Sequence, residues 1–244
     1  RSTRKESSAA SDVYKRQFSY CFSIIDSMRA FISEFLGTLF LVATVVGSGI
    51  MAENLSMGNQ ALALLANAVA TGAILYVLIT IFSEISGAHF NPVVSMIMFI
   101  MKNLSFFEFL VYISVQIIGG ILGTFLAHYM FDISIIQFST NVRTGSSQYF
   151  SEVIATFGLL LIILLGSKQK SGSVATLVAF YITAAYWFTS STSFANPAVT
   201  IARTLTDTFS GIQYGDTNPF IISQILGGLL AYMVFRYLSQ SKRF

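Results

Sequence analysis

The sequence predicts an all-α integral membrane protein with six transmembrane helices and two re-entrant half-helices, arranged as two inverted repeats. Three observations predict this fold. The chain of 244 residues is 54% hydrophobic and only 10% charged, well below the roughly 25% of charged residues in an ordinary soluble domain. Apolar runs of membrane-spanning length recur along the chain, and a short Asn-Pro segment occurs in each half.

The apolar runs are close to the ~20 residues that a helix needs to cross a bilayer. They are longer than strands and lack strict alternation, so helices are expected to satisfy their backbone polar groups. Six spans are predicted, at residues 31–51, 61–82, 107–131, 149–166, 174–189 and 220–238.

The distribution of basic residues predicts the orientation of these spans. With the N-terminus inside, 12 of the 14 Lys and Arg lie in cytoplasmic segments, and only Arg143 and Arg203 do not. An excess of Lys and Arg marks the cytoplasmic side. We therefore expect a multi-pass protein of the cell (inner) membrane with both termini in the cytoplasm, and no basic face remains for nucleic acid.

The two ends of the chain are expected to lie outside the channel-forming part. Residues 1–27 mix Ser, Lys, Arg and Asp without helical periodicity and include the lone Cys21, which has no intramolecular disulfide partner. We expect a polar tail that need not be native, because Met28 stands just before the first span. A signal peptide is the alternative, with a poor apolar core at 18–25. Residues 239–244 are expected to be a cytoplasmic tail.

Three short strings recur in the same order in both halves. Ser33-Glu34 begins the first span and Ser151-Glu152 the fourth, Asn91-Pro92 recurs as Asn196-Pro197, and Gln116-Ile-Ile-Gly-Gly recurs as Gln224-Ile-Leu-Gly-Gly. Duplication explains this better than chance. Because each half contains an odd number of spans, the halves must be inverted, with equivalent elements meeting near the midplane. The predicted repeats are 28–131 and 149–238, joined by a loop at 132–148.

Each Asn-Pro pair is followed by an apolar stretch, and the first is too short to span a membrane. Asn is favoured as a helix N-cap and Pro as the first helical residue. Half-helices are therefore predicted at about 91–101 and 196–209. Non-helical backbone before them, at membrane depth, requires burial in protein or a water-filled cavity. A single Asn-Pro pair is more often an ordinary helix start, but two at equivalent places favour a pore.

The midplane of such a pore would hold two helix N-termini and two Asn side chains. The N-termini carry partial positive charge, and the Asn91 and Asn196 amides offer donors to a passing oxygen. The arrangement suits neutral hydroxylated molecules and opposes cations and protons.

These features resemble the aquaporin and aquaglyceroporin (major intrinsic protein) family, above all the Ser-Gly-Ala-His-Phe-Asn-Pro string of residues 86–92. The resemblance covers about residues 28–238 and implies a passive channel in a homotetramer, without cofactor, metal or catalytic residues. It also implies that Glu34 and Glu152 accept hydrogen bonds from the re-entrant loops; a proton-relay pair is the alternative. His89 is expected to brace its loop rather than gate the pore, and His128 to be a packing residue.

The family resemblance also predicts a selectivity filter. In most water channels of the family an Arg follows the second box directly, but here that position is Val199. The family's spacing places the other filter positions at Thr71, Ala184 and Ser193. These small side chains imply a widened filter that admits glycerol-like or arsenite-like molecules, unless Tyr186 or Trp187 refills the space.

Two further departures concern the boxes themselves. The first box reads Asn-Pro-Val, a change expected to face helix packing. Arg203 lies one helical turn after Val199; it could line the pore or bind loop carbonyls, and we expect the second, as a loop-bracing residue. The string from Asn196 to Asp207 resembles a bacterial subgroup associated with metalloid channels.

Two other classes of protein are weaker explanations. A secondary transporter with inverted repeats is the main alternative, but apart from Glu34 and Glu152 the spans contain almost no ionisable residue to couple ions. An intramembrane enzyme would need paired metal ligands or a nucleophile with a base at usable spacing, and no such motif is found. The expected partners are membrane lipid, water and small neutral solutes.

Overall fold

The computed structural model describes residues 3–169 and 173–240, and in these ranges every regular element is a helix. In chain order the helices are α1 (Thr3–Leu55), α2 (Gln60–Ser86), α3 (Pro92–Ile100), α4 (Phe106–Met130), α5 (Ser146–Gly166), α6 (Val174–Phe188), α7 (Pro197–Ala202) and α8 (Tyr214–Gln240), with a 3-10 turn at Arg203–Leu205 after α7.

Within the described ranges, five helices are long and apolar enough to cross a membrane: α1 from Asp26, then α2, α4, α5 and α8. The sixth predicted span is α6, with 15 residues, or roughly 22 Å at the helical rise of about 1.5 Å per residue. It ends at Phe188, one residue before the predicted end, and its C-cap, Thr189, is extended and begins the second re-entrant loop. The backbone of the expected polar tail is helical from Thr3, continuous with the first span.

The two halves pack in the same way. α1 lies along α4, and α5 lies along α8. A Cβ atom on Gly119 of α4 would lie 2.5 Å from the Phe35 carbonyl oxygen of α1, and one on Gly227 of α8 would collide with the Val153 carbonyl oxygen of α5. The repeated glycines therefore let two backbones touch at equivalent places, as in other membrane helix pairs.

The two short helices begin alike and end differently. Asn91 and Asn196 cap them with nearly the same backbone angles, φ −155° and −158°, and a Pro follows each cap. α3 ends at Ile100, close to the predicted end at 101. The prediction of 196–209 for the second half-helix is wrong, because α7 ends at Ala202 and Thr206 is extended. The loop then folds back, and the amide of Ile212 donates to the Arg203 carbonyl (3.2 Å).

Candidate functional site

The first re-entrant loop is held by one buried carboxylate. Glu34, fully buried in α1, accepts hydrogen bonds from the Ser86 hydroxyl (2.7 Å) and the backbone amides of His89 (2.9 Å) and Phe90 (2.7 Å). Its second oxygen also accepts from Gln116 Nε2 of α4 (2.7 Å). One side chain thus satisfies donors that lipid could not.

The second re-entrant loop repeats the arrangement from the opposite half. Glu152, fully buried in α5, accepts from the backbone amides of Phe194 (2.9 Å) and Ala195 (2.8 Å). Gln224 Nε2 of α8 donates to the same carboxylate (2.6 Å). In both loops some residues adopt positive φ without being glycine, including Phe90 and Ala195 at 49°. Such strain persists only where surrounding contacts fix it, and here the carboxylates supply those contacts.

The two loops are joined by reciprocal hydrogen bonds between the Asn-Pro segments. Asn91 Nδ2 donates to the Ala195 carbonyl (2.7 Å), and Asn196 Nδ2 donates to the Phe90 carbonyl (2.8 Å). Each Asn Oδ1 also accepts from the amide two residues on, capping its own helix. An amide nitrogen carries two hydrogens, so one on each Asn is left for the space between the loops.

That space is a cavity of about 60 Å³ along which both Asn side chains lie. It adjoins two others. One, which we call the loop vestibule, is bounded by residues of α2 and of the loops after α4 and α7, and shares Arg203 with the cavity. The other lies beside the end of α2 and the start of α6, and shares Ala88 and His89. The three spaces follow one another, with the two Asn residues in the middle one, and we call this series the path.

The predicted filter residues fall into two groups. Thr71, Ser193 and Val199 all line the cavity and are buried. Ala184 does not belong there. It is exposed on the outer face of α6, whereas Val178, Ile182 and Tyr186, spaced by four residues, face the cavity.

The prediction that Ala184 lines the cavity is therefore wrong, and Tyr186 lines it instead. Two residues along a helix rotate a side chain by about 200°, which puts Ala184 almost opposite Tyr186. Tyr186 is buried, and its hydroxyl lies 3.1 Å from Thr71 Oγ1. The expectation of four small filter side chains fails at this position, because a tyrosine narrows the cavity. Trp187 does not line the cavity; it borders the loop vestibule and is half exposed.

Arg203 combines the two placements that the sequence left open. Its Nε donates to the Ser210 carbonyl, and its guanidinium carbon lies 3.4 Å from the centroid of the Phe194 ring. It also lines both the cavity and the loop vestibule. The side chain therefore binds a loop carbonyl while facing the path.

Arg143 is the polar residue that the sequence analysis did not single out. Its Nε donates to the Gly211 carbonyl (2.8 Å) and its Nη1 to the Ser191 carbonyl (3.3 Å). Its guanidinium carbon lies 4.9 Å from the Phe194 ring centroid. Burial lowers the pKa of Arg143. A usable signal was present, since only Arg143 and Arg203 of all Lys and Arg fall outside the predicted cytoplasmic segments.

The two histidines tie loops to helices. His89 donates its backbone amide to Glu34, its Nδ1 lies 3.1 Å from Ser95 Oγ, and its ring borders the cavity. His128 is fully buried near the end of α4, with its ring nitrogens 2.8 Å from the Ile135 carbonyl and from Thr206 Oγ1. His128 thus joins the loops after α4 and α7.

Comparison with known proteins gives one consistent similarity. The sequence model of the family described as Major intrinsic protein matches residues 22–192. Aquaglyceroporin AqpS of Rhizobium meliloti (strain 1021) is 51% identical over 218 residues, covering 89% of this chain and 93% of that protein. Aquaporin-2 of Rattus norvegicus is 25% identical, covering 86% and 78%.

A solved structure gives the same similarity at the level of the fold. The X-ray structure of the aquaglyceroporin from Plasmodium falciparum superimposes with a TM-score of 0.65 at 21% identity, covering 86% of this chain and 93% of that one.

Proposed function

The chain belongs to the major intrinsic protein family, and from that premise we propose how its cavity works. It is a membrane channel for water and small solutes such as glycerol, and not an enzyme. We propose that the solutes pass in single file between the two re-entrant loops. The observation that carries this proposal is the reciprocal pair of hydrogen bonds, Asn91 to Ala195 and Asn196 to Phe90, beside a cavity that adjoins the loop vestibule and the space at the start of α6.

At the midplane a solute oxygen would accept the free hydrogens of Asn91 and Asn196. Both amides are held in place by their bonds to the opposite loop, so they donate without reorganising. The half-helices starting at these residues add positive potential. Neutral solutes that accept hydrogen bonds would pass, whereas protons and other cations meet a barrier.

The test is to remove each midplane donor separately. Asn91→Ala or Asn196→Ala also removes a helix cap, which costs about 0.5–2 kcal/mol. We expect water flux per protomer in vesicles to fall in both variants. Asn59→Ala is the matched control, because Asn59 caps α2 through Leu62 but is exposed and outside the cavity. Parent-like flux in well-assembled Asn91 and Asn196 variants would show that these segments are only helix starts.

The solute class follows from the constriction. Thr71 and Tyr186 bond each other across the cavity, so a larger solute has to replace that bond with its own hydroxyls. We infer that glycerol-like and arsenite-like neutral hydroxides are the preferred larger solutes. Flux of water, glycerol and arsenite is measured in parallel on one preparation. If the fluxes followed the size of the solutes alone, the result would contradict this inference.

Passive conduction also agrees better with the buried carboxylates than ion-coupled transport does. Glu34 and Glu152 use both oxygens to hold the loops, which leaves them poorly placed to load and release a proton. A channel gives flux that does not saturate with solute concentration. Saturating, proton-dependent flux would favour the secondary transporter instead.

We further propose that the protein is a homotetramer with a pore in each protomer. Its outer helix faces expose large apolar side chains, such as Val69, Tyr76 and Phe180 on α2 and α6, which neighbouring copies could cover. A detergent-corrected mass of one protomer would contradict this.

The proposed orientation places both termini in the cytoplasm of the cell, across its inner membrane. The predicted cytoplasmic loop contains Asn103 and the predicted external loop Ser134, and both residues are exposed. In a Cys21→Ser background, an impermeant thiol reagent added to whole cells should label Ser134→Cys but not Asn103→Cys. The reverse pattern would contradict the orientation.

A further inference from the structure

The loop vestibule contains two arginines that have no carboxylate partner. Among the described side chains the ion pair is Arg29–Asp26, which involves neither. The carboxylates that line the vestibule are occupied elsewhere: Asp207 accepts from the backbone and hydroxyl of Thr140, and Glu53 from the backbone amide of Phe209. Arg143 and Arg203 are held instead by carbonyls and by the Phe194 ring. Among the described residues, neither guanidinium is therefore in a direct ion pair with a carboxylate.

The terminal nitrogens of Arg203 are the uncommitted part of this cluster. The residue is only 2% exposed, yet among the described residues only its Nε has a protein acceptor. The two terminal nitrogens are not sealed from open space. Burying a guanidinium without acceptors costs free energy, which contents of the cavity would offset. The side chain is therefore directed into the path.

The position of this guanidinium is fixed on two sides. Its Nε donates a hydrogen bond to the Ser210 carbonyl. The guanidinium also lies over the face of the Phe194 ring, a favourable arrangement for a cation. Arg203 follows Val199 by one helical turn, and both residues line the same cavity. The vestibule and the cavity meet at Arg203, so each solute that passes between them passes this charge.

We propose that Arg203 is a specificity-determining residue of this channel, supplying the fixed positive charge that excludes small cations at the junction of cavity and loop vestibule. This rests on the proposed function of the cavity. Val199 lines the same cavity and carries no charge of its own. The positive charge at the constriction thus comes from the end of α7 and not from the residue that follows the second box.

The expected effect follows from charge repulsion. Two unit charges about 5 Å apart at an effective dielectric constant near 20 repel strongly enough to slow passage by roughly 100-fold. Water and salt in the vestibule screen part of this. Removing the charge is therefore expected to raise cation flux at least about tenfold.

Guanidinium and urea are a matched pair of probes, because they have nearly the same planar shape and differ in charge. Flux of each is measured in vesicles with known amounts of inserted full-length protein, relative to water flux in the same vesicles. The variants are Arg203→Gln, Arg203→Met, Arg203→Lys and the double variant V199R/R203Q, which moves the guanidinium back by one turn. Arg143→Gln removes the neighbouring charge, which lines the vestibule but not the cavity.

We expect guanidinium flux to rise about tenfold or more in Arg203→Gln and Arg203→Met, with a much smaller change for urea. Arg203→Lys and the double variant should exclude guanidinium as the parent does, and Arg143→Gln should leak less than Arg203→Gln. The Met variant introduces no polar side-chain atom that needs a partner, so it keeps the test available if the Gln variant does not assemble.

Three results would overturn the assignment of this role to Arg203: unchanged guanidinium exclusion in a water-conducting Gln or Met variant, an equal rise for urea, or an equal leak in Arg143→Gln. Absence of water flux in the parent protein would instead refute the proposed channel itself.

Discussion

Replacing Glu34 by Gln tests whether the buried carboxylate sets the shape of the first re-entrant loop. In the parent, one oxygen accepts from the Ser86 hydroxyl and the His89 amide, and the other accepts from the Phe90 amide and Gln116 Nε2. A glutamine keeps only one of these acceptors. Its NH2 group must face a backbone N–H in either orientation.

The cost can be worked out bond by bond. If the NH2 group replaces the oxygen that faces Ser86 and His89, the Ser86 hydroxyl can rotate to accept from it, but the His89 amide can only donate. If the NH2 group replaces the oxygen that faces Phe90 and Gln116, the Gln116 side chain can flip to present its unpaired Oε1 as an acceptor, but the Phe90 amide can only donate. One buried backbone donor is orphaned either way, which costs about 1–3 kcal/mol. Glu34→Ala orphans both backbone donors, so roughly twice that cost is expected.

The assay is unfolding of the purified protein in a detergent mixture, together with water flux per protomer in vesicles. Glu34→Gln should lower both the free energy of unfolding and the flux, because the loop carries Asn91. Glu152→Gln should do the same in the second loop, where Phe194 and Ala195 donate. The control is Glu84→Gln, at an exposed carboxylate of α2. A free energy of unfolding within about 0.5 kcal/mol of the parent, with unchanged flux, would refute the reasoning.

Three other predictions concern the cavity lining and the packing of the helices. Tyr186→Phe removes the hydroxyl that bonds Thr71, so the ratio of glycerol to water flux should rise severalfold; an unchanged ratio would show that the bond does not limit passage. Val199→Arg adds a bulky cation to the cavity lining and should suppress glycerol flux more than water flux; an unchanged ratio of the two fluxes in well-assembled protein would show that Val199 does not border the constriction. Gly123→Ala would drive a Cβ atom into the α1 backbone, whereas the Cβ atom of Gly215→Ala meets nothing within 4 Å. The first variant should lower the free energy of unfolding by about 1–3 kcal/mol and so lower the midpoint of thermal unfolding. The second is the control and should leave that midpoint nearly unchanged.

The sequence by itself determined the features that depend on local chemistry and length. Long apolar runs with few charges have to form helices in lipid, since only internal hydrogen bonds satisfy the backbone there. Asn followed by Pro favours the start of a helix, because Asn caps it and Pro suits its first position. The rule is not absolute, since Pro219, which follows Asn218, lies inside α8. The starts of α3 and α7, at Pro92 and Pro197, follow from those rules.

Only the tertiary structure decided which residues share the cavity. Ala184 and Tyr186 are two positions apart, and no local signal says which face of α6 turns inward; packing against α2 decides it. α7 ends at Ala202 because the loop after it folds back, through contacts between residues several positions apart such as Arg203 and Ser210. Arg143 reaches the site from a loop distant in sequence. Periodicity and caps are properties of neighbours along the chain, whereas a site is made by residues that folding brings together.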